Sequence, residues 1–467
     1  MRAAFLLTVA HAQVPPTDPC VQDQVRLSLG GAPGEMGVSW ATSNTTTPQG
    51  YAAVVRYGPA SGPGAGKLTM TSAPADSRNY SLCGVQSPSL HYARMTGLTP
   101  GAQYYYAIDG GAACGETPPA LFTAPKAVGA PAAATYPFTM LAYADMGISN
   151  SQYTTQFLAE RVAAKNVDVI IHAGDISYAD NRGCPYYDVV QNDYYNAVSP
   201  YARHVPVMYS SGNHEASSPG TKSGSFLAYR TRVAPTMPLN ATLSPFWYSF
   251  SIGRIHFVAF DIDQAYGAGS AQYAWIAADL AAVDRTATPL VVAFSHFPLL
   301  CSNKFWCNDG SGEAQAFRKL YEPLFNAPET RVHIFLNGHV HAAEINFPMA
   351  TGSLVPSQTN FDSVSTVLSA MLGFPGDTEV CCNDWQKPAP AYSAWRTDDV
   401  VVSAGGGAGG CLAAGASAHC LSFRTHWPPL PPPRTLTHAP RTHAHKRGMG
   451  APLALASSFL PRTRTFK

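Results

Sequence analysis

Phe138-Thr139-Met140-Leu141-Ala142-Tyr143-Ala144-Asp145 and Val167-Asp168-Val169-Ile170-Ile171-His172-Ala173-Gly174-Asp175 decide the fold. Each is a short apolar run that ends at an aspartate in a glycine-containing turn, Asp145-Met146-Gly147 in the first and Gly174-Asp175 in the second. Between them, Gln152 to Lys165 carries helical spacing. Strand, polar turn, helix and strand in that order mark an α/β unit. The runs are nearly continuous in apolar residues, so the sheet is expected to be buried on both faces. The pattern repeats downstream. Val205 to Tyr209 is a third strand, followed by Gly212-Asn213-His214. Trp247 to Phe260 reads as a hairpin turning at Gly253, and Ala271 to Val283 as a helix. Leu290 to Phe294 is a strand ending near His296, Glu313 to Phe325 is helical, and Val332 to Leu336 runs into Gly338-His339. Ligands in such folds bind beyond the carboxyl ends of strands. Asp145, Asp175, Asn213, His296 and His339 all stand just past one, so a single pocket is expected to collect them.

Upstream, residues 20–125 read as all-β. Val25-Arg26-Leu27-Ser28-Leu29 and Met36 to Trp40 alternate, and Val54-Val55-Arg56-Tyr57-Gly58 is another short strand before a turn. Gly, Pro, Ser and Thr fill the gaps, as turns require. Leu98-Thr99-Pro100 followed by Tyr104 resembles the fibronectin-type sandwich, in which a tyrosine near a strand start anchors the sheet corner. Residues 126–137 are rich in Ala, Pro and Gly and read as a linker. Past Thr351 the pattern weakens, although Asp398 to Ser403 looks like one more strand before Gly405-Gly406-Gly407. Residues 421–467 form a basic, proline-rich tail without periodicity, expected to be disordered.

The chain of 467 residues has a formal net charge of +1, which suggests neither a nucleic-acid binder nor a polybasic membrane protein. The near-zero sum hides an asymmetry. No acidic residue follows Asp399, and eight Lys or Arg lie from Leu421 onward, leaving 22 − 29 = −7 for the rest. Arg2, the apolar stretch Ala3 to Ala10 and Ala10-His11-Ala12 match a signal peptide over residues 1–12. No other stretch reaches the ~18–20 uninterrupted apolar residues of a membrane span. Ten cysteines, an even number, suit an oxidising compartment. Cys301 and Cys307 flank a short loop that allows local pairing, and adjacent Cys381 and Cys382 call for separate partners. Glycosylation sequons stand at Asn44, Asn79 and Asn240. Together these predict a secreted glycoprotein, extracellular or bound for vacuole or cell wall.

Five motifs follow in order: Asp145-Met146-Gly147; Gly174-Asp175-Ile176-Ser177-Tyr178; Gly212-Asn213-His214-Glu215; Ala293-Phe294-Ser295-His296; and Gly338-His339-Val340-His341. Singly, each has a plain structural reading as a turn, a cap or a hydrogen-bonded histidine. Jointly, carboxylates and imidazoles at strand ends suit first-row metal ions, and a shared carboxylate can bridge two of them. The set resembles the purple acid phosphatases within the calcineurin-like metallophosphoesterases, across roughly Val21 to Gly407. The specific mark is Tyr178, three residues after Asp175. The resemblance implies an α+β multidomain protein, with a fibronectin-III-like β-sandwich at 20–125 and an α/β metallophosphoesterase domain at 138–410 whose sheets are flanked by helices. It implies Fe(III) held by Asp145, Asp175, Tyr178 and His341. It implies a divalent Zn, Mn or Fe held by Asp175, Asn213, His296 and His339, with Asp175 as the bridge. It further implies a secreted acid phosphatase that hydrolyses small phosphate monoesters through attack by a metal-bound hydroxide. Asn213 and His214 would contact the substrate, and His214 would steady a phosphate oxygen or protonate the leaving group. Larger members are often homodimers; no nucleic-acid or membrane partner is expected.

The chain departs from that family at four places. The fourth motif is written Ala293-Phe294-Ser295-His296 rather than with valine. A histidine pair expected about ten residues beyond it is replaced by Phe305-Trp306. Ala342-Ala343-Glu344-Ile345 keeps only the glutamate of the usual run. The family's final segment is replaced by the basic tail. These departures leave two alternatives: a phosphodiesterase or nucleotide pyrophosphatase on the same scaffold, and a secreted binding protein without turnover.

Overall fold

The computed structural model describes residues 18–396, apart from 19, 43–47, 62–70, 220–223, 239–243, 305–311, 360–365 and 374–384, together with the backbone of 421–425. The N-terminal region contains β1 (Asp23–Leu29), β2 (Met36–Thr42), β3 (Val54–Pro59), β4 (Thr71–Pro74), β5 (Asp76–Arg78), β6 (Ser81–Leu82), β7 (Val85–Gln86), β8 (Ser89–Met95), β9 (Gln103–Asp109), the single turn α1 (Gly111–Cys114) and β10 (Ala120–Thr123). They form two four-stranded sheets, ordered β1-β2-β8-β5 and β10-β9-β3-β4, with β6 and β7 as a separate hairpin. Every pairing is antiparallel. The alternating residues Val25, Leu27, Val38, Trp40, Val55, Tyr57, Tyr106 and Phe122 meet between the sheets as one core. The Tyr104 hydroxyl accepts a hydrogen bond from the Thr99 amide at 2.9 Å, which is the expected corner tyrosine.

Arg26 and Ser28, on the other face of β1, are buried as well. The second domain covers them. Arg26 stacks over Tyr195 at 4.1 Å, and the Ser199 hydroxyl donates to the Val25 carbonyl at 2.9 Å. Both come from a helix of the second domain that the sequence pattern did not show. Half of its 16 residues are Tyr, Asn or Asp, which mask the helical period.

The second domain contains α2 (Ala132–Thr135), β11 (Phe138–Tyr143), α3 (Gln152–Ala163), β12 (Val169–Ala173), α4 (Tyr187–Ala202), β13 (Val207–Ser210), α5 (Asn213–Ala216), α6 (Leu227–Arg232), β14 (Tyr248–Ile252), β15 (Ile255–Ala259), α7 (Ala271–Ala282), β16 (Leu290–Phe294), α8 (Gly312–Asn326), β17 (Ile334–Asn337), β18 (Ala343–Asn346), β19 (Leu368–Leu372), β20 (Ser393–Arg396) and β21 (Leu421–Thr425). One sheet runs β13-β12-β11-β21 and the other β14-β15-β16-β17-β19-β18-β20. Phe138, Leu141, Ile170 and Met208 of the first sheet share a core with Phe250, Phe257, Val292 and Leu336 of the second. Leu158 and Val162 of α3 and Tyr194 and Val198 of α4 join that core, while Ile276, Leu280, Phe317 and Tyr321 of α7 and α8 pack with Val258, Val291 and Phe335 of the second sheet. The result is two sheets packed together and flanked by helices. Among the described residues, no helix is long and apolar enough to cross a membrane.

Two segments differ from their sequence reading. The Ala- and Pro-rich stretch at 126–137 is tied down rather than free: Lys126 Nζ donates to the Thr135 and Pro137 carbonyls at 2.9 Å and pairs with Asp168 at 2.8 Å. Residues 421–425, placed in a disordered tail, pair antiparallel with β11 and carry the catalytic domain past residue 410. Leu421-Ser422-Phe423-Arg424-Thr425 does alternate apolar and polar residues, a short signal that the basic, proline-rich stretch after it obscures. Phe305, Trp306, Cys307, Cys381, Cys382, the strand expected at 398–403, residues 1–12, Asn44 and Asn240 lie outside the described residues; Asn79 is exposed.

Two disulfides are described. Cys20–Cys114 lies within the sandwich, and Cys83–Cys184 joins the β6–β7 hairpin to the second domain. Cys301 is also disulfide-bonded. A buried polar interface accompanies the inter-domain bond. Arg232, fully buried, bonds Asp188 Oδ1 at 3.1 Å, the Tyr80 hydroxyl at 2.7 Å and Gln24 Oε1 at 3.0 Å.

Candidate metal centre

Parallel strands β11, β12 and β13 end together, and so do β15, β16 and β17. The loops beyond these ends interlock through their backbones. Asp145 N donates to the Gly174 carbonyl at 3.1 Å and Met146 N to the Asp175 carbonyl at 3.2 Å. Gly338 N donates to the His296 carbonyl at 2.7 Å. Side chains from five separate loops therefore meet in one crevice.

The Tyr178 hydroxyl lies 3.0 Å from Asp145 Oδ1, 3.4 Å from Asp175 Oδ2 and 2.8 Å from His341 Nε2. His341 Nε2 is 3.5 Å from Asp145 Oδ1. On the other side, His296 Nε2 is 2.9 Å from Asp175 Oδ2 and 3.1 Å from Asn213 Oδ1. His339 Nδ1 is 3.0 Å from the same Asn213 oxygen. Asp175 thus stands between a cluster with Asp145, Tyr178 and His341 and a cluster with Asn213, His296 and His339. All seven residues singled out in the sequence come together, and Asp175, His296 and His339 bring ligand atoms within 4.8 Å of one another.

Backbone conformation is part of how these groups converge. Asp145 (φ 56°), Asp175 (φ 50°), Tyr178 (φ 55°) and His339 (φ 70°) all adopt left-handed backbone. Each such residue costs about 1–3 kcal/mol, so the surrounding packing must impose it. Gly147 (φ 55°) and Gly174 (φ 81°) turn through left-handed backbone, whereas Gly212 and Gly338 answer a different need. Gly212 is extended, yet a Cβ there would fall inside 3.0 Å of Asp175 and of the His296 ring. At Gly338 a Cβ would collide with Ala144 and Asp145 Oδ2. These glycines let neighbouring loops approach until the side chains touch.

Two partners were not singled out from the sequence. Glu215, buried, accepts from Asp175 N and Gly212 N at 2.9 Å and from Ile176 N at 2.8 Å. It anchors the turns carrying Asp175 and Asn213. Its place two residues after Asn213, in capping-box register with Gly212, was the available signal. Asp180 places both carboxylate oxygens 2.9 Å from His214 Nδ1. Nothing in the sequence separates Asp180 from a solvated acid. His214 itself donates its amide to Asp175 Oδ1 at 2.9 Å, and its ring lies 4.1 Å from that of Tyr178. Its Nε2 reaches 3.8 Å from Asp175 Oδ2, at the edge of the cluster. Glu344 binds Ser302 N at 2.8 Å and Ser302 Oγ at 2.7 Å, tying the loop after His296 to β18.

The electrostatics call for cations. Asp145 and Asp175 are each 1 % exposed, and among the described residues neither meets a lysine or arginine. Burying two carboxylates without fixed positive charge is costly. The histidines carry the compensation. Burial alone would lower the His296 imidazole, but Asp175 and Asp145 override it and raise it to about 10. Burial would raise Asp175, yet His296 and His214 hold it well below the usual carboxylate range. Burial lowers His339 to about 4, so that ring is neutral and able to donate a lone pair. A buried set of two carboxylates, a phenol, an amide oxygen and three imidazoles, short of positive charge, fits two first-row cations sharing Asp175.

Comparison with known proteins places these features in context. Residues 22–124 match the family model described as purple acid phosphatase, N-terminal domain, and residues 138–343 match that of calcineurin-like phosphoesterase. The chain is 30% identical to "Probable purple acid phosphatase 20" of Arabidopsis thaliana over 384 residues, covering 81% of this chain and 80% of that one. It is 26% identical to a purple acid phosphatase of Glycine max, over 68% of this chain and 66% of the relative. The solved structure of a purple acid phosphatase from yellow lupin (Lupinus luteus) seeds superposes with a TM-score of 0.68 at 21% identity, covering 80% of this chain and 68% of that chain.

Proposed function

The chain belongs to the purple acid phosphatase family, with its calcineurin-like phosphoesterase domain, and from this we propose that it is a secreted hydrolase of phosphate monoesters working at a mixed-metal centre. Asp145, Asp175, Tyr178 and His341 would hold Fe(III), and Asp175, Asn213, His296 and His339 a divalent ion. The observation that carries this reading is the Tyr178 hydroxyl, 3.0 Å from Asp145 Oδ1 and 2.8 Å from His341 Nε2. A phenol placed among such donors is a ligand suited to a hard trivalent cation.

When bound, the two cations supply positive charge against the phosphate oxygens and acidity to water. The chain's own residues do the rest. Glu215 and the interlocked loops hold the donors in place before any substrate arrives, which removes reorganisation from the reaction. Hydrolysis splits the ester P–O bond, water adds to phosphorus, and the alcohol oxygen must leave with a proton. His214 would give that proton from Nε2, while Asp180, 2.9 Å from Nδ1, would steady the imidazolium. As the leaving alcohol departs, His214 becomes neutral and water restores its proton. Inter-domain and intra-sandwich disulfides suit the oxidising route of a secreted protein.

The test is steady-state hydrolysis of para-nitrophenyl phosphate and of its bis-ester by the metal-loaded protein. Faster turnover of the monoester, lost in Asp175→Asn, is expected. Preference for the diester would sink the monoesterase reading, and activity surviving in Asp175→Asn would sink the metal assignment.

A further inference from the structure

The segment that carries Asp180 is short and fixed at both ends. It starts at Tyr178, held among Asp145, Asp175 and His341. It turns through a 3-10 turn at Ala179–Arg182, passes Gly183 (φ 61°) and reaches Cys184. Cys184 is bonded to Cys83, at the tip of the β6–β7 hairpin of the sandwich domain. In the middle, Asp180 takes His214 Nδ1. Arg182, Cys184, Pro185 and Tyr186 are exposed. Ala179 and Tyr187, at its two flanks, pack with Tyr80 and Leu82 beside the same hairpin. The sandwich domain therefore grips the outer end of a catalytic loop through one covalent bond, with packing at the loop's two flanks.

We propose that the Cys83–Cys184 disulfide is a positioning element for the reaction, through which the N-terminal domain holds Asp180 against His214. This rests on the reading of His214 as the proton donor. Without the bond, Gly183 and the exposed residues after it let the turn move while Tyr178 stays anchored. A displacement near 1 Å in a positioning group costs up to about a hundredfold in rate. Because Cys184 is exposed, the bond is open to thiols from solution. A dithiol reduces it to two thiols and is itself oxidised to a disulfide, with two electrons passing from reagent to protein.

The second disulfide is the built-in control. Cys20–Cys114 closes a separation of 94 residues and Cys83–Cys184 one of 101, so chain entropy assigns them nearly equal stabilisation. Only the second touches the catalytic loop. The experiment compares holoenzyme of Cys83→Ser/Cys184→Ser with that of Cys20→Ser/Cys114→Ser, measuring Tm, metal content, kcat and KM on an alkyl phosphate monoester, whose leaving alcohol needs the proton most. Similar losses of Tm are expected from both pairs. Only the first should lower kcat, by about tenfold or more, with both metals retained and KM changed little. Adding Asp180→Asn to the first pair should lower kcat hardly further, since both changes release the same contact. Equal kcat for the two pairs, or full additivity with Asp180→Asn, overturns the proposal. Should the first pair not fold, wild-type holoenzyme is treated with dithiothreitol, and reduction of Cys83 and Cys184 is mapped by alkylation alongside metal content. The kcat should then fall with the reduced fraction and recover on reoxidation; unchanged kcat at full reduction of that bond, with metal retained, overturns it. A wild-type protein inactive on monoesters would instead refute the proposed function.

Discussion

His214 Nδ1 faces both carboxylate oxygens of Asp180 at 2.9 Å, although one residue follows β13 and the other follows Tyr178 beyond β12. The contact leaves one orientation for the ring. It sets Nδ1 as the donor to Asp180 and turns Nε2 toward Asp175, 3.8 Å away. Proton transfer by a positioned side chain contributes about 10²–10⁴-fold.

Asp180→Asn keeps the shape but loses the charge that steadies a protonated His214. The expected outcome is a kcat lower by roughly ten- to hundredfold with KM little changed. Rates on a monoester with an activated leaving group should suffer less than rates on an alkyl phosphate, because the former needs less protonation. Equal losses on both substrates would remove His214 from the proton-transfer step.

Tyr178→Phe removes only the hydroxyl among Asp145, Asp175 and His341. With Fe(III) bound, the coloured phenolate band in the visible spectrum should disappear. A band that persists in the variant would show that another group binds the iron.

Gly338→Ala tests close approach rather than flexibility, since its Cβ would meet Ala144 and Asp145 Oδ2 inside 3.0 Å. Overpacking of this kind costs about 1–3 kcal/mol. The expected result is a lower urea midpoint together with lost metal, because Asp145 is what must move. Unchanged stability and metal content would show that the loops have room to separate.

His296 links metal binding to pH. Its folded value is raised to about 10, above the ordinary 6.5, so after chelation it is protonated at neutral pH. A group raised in this way stabilises the metal-free fold fully below its unfolded value and loses that contribution as pH rises through about 10. Ligation requires the neutral ring. Metal uptake at pH 7 should therefore release a proton, and affinity should rise with pH until His296 is neutral. Calorimetry in buffers of different ionisation enthalpy measures the release; a binding enthalpy independent of buffer would count against His296 as a ligand.

Arg232 is the centre of the buried domain interface, with Asp188 at 3.1 Å and the Tyr80 hydroxyl at 2.7 Å. Arg232→Ala leaves Asp188 buried without its cation and should destabilise the protein by about 3–5 kcal/mol. Arg232→Ala with Asp188→Ala should cost less than the sum of the two single changes. Urea unfolding of the three variants decides it, and simple additivity would show that the pair is not coupled.

Most of the strand and helix order from β11 to β17 could be read from the chain because apolar runs and helical spacing are local properties, whereas β18, β19 and β20 could not. Five candidate ligands could be read as well, Asp145, Asp175, Asn213, His296 and His339, which stand at successive strand ends, while Tyr178 and His341 were named through the family resemblance. The sequence by itself thus determined the two-domain plan and the chemical character of the crevice. It did not show α4, whose tyrosines serve a shared core and the domain interface at once. It did not show the pairing of β21 with β11, the buried outer face of β1, or the partnership of Cys83 with Cys184. Above all, it did not distinguish Glu215 and Asp180 from ordinary acids. Their roles depend on groups far along the chain: Glu215 holds amides at Asp175 and Ile176, and the Cys184 end of the loop carrying Asp180 is bonded to a hairpin 101 residues earlier. Residue type and local period fix what a segment prefers, whereas a hydrogen bond or disulfide between distant segments exists only once packing brings their ends together.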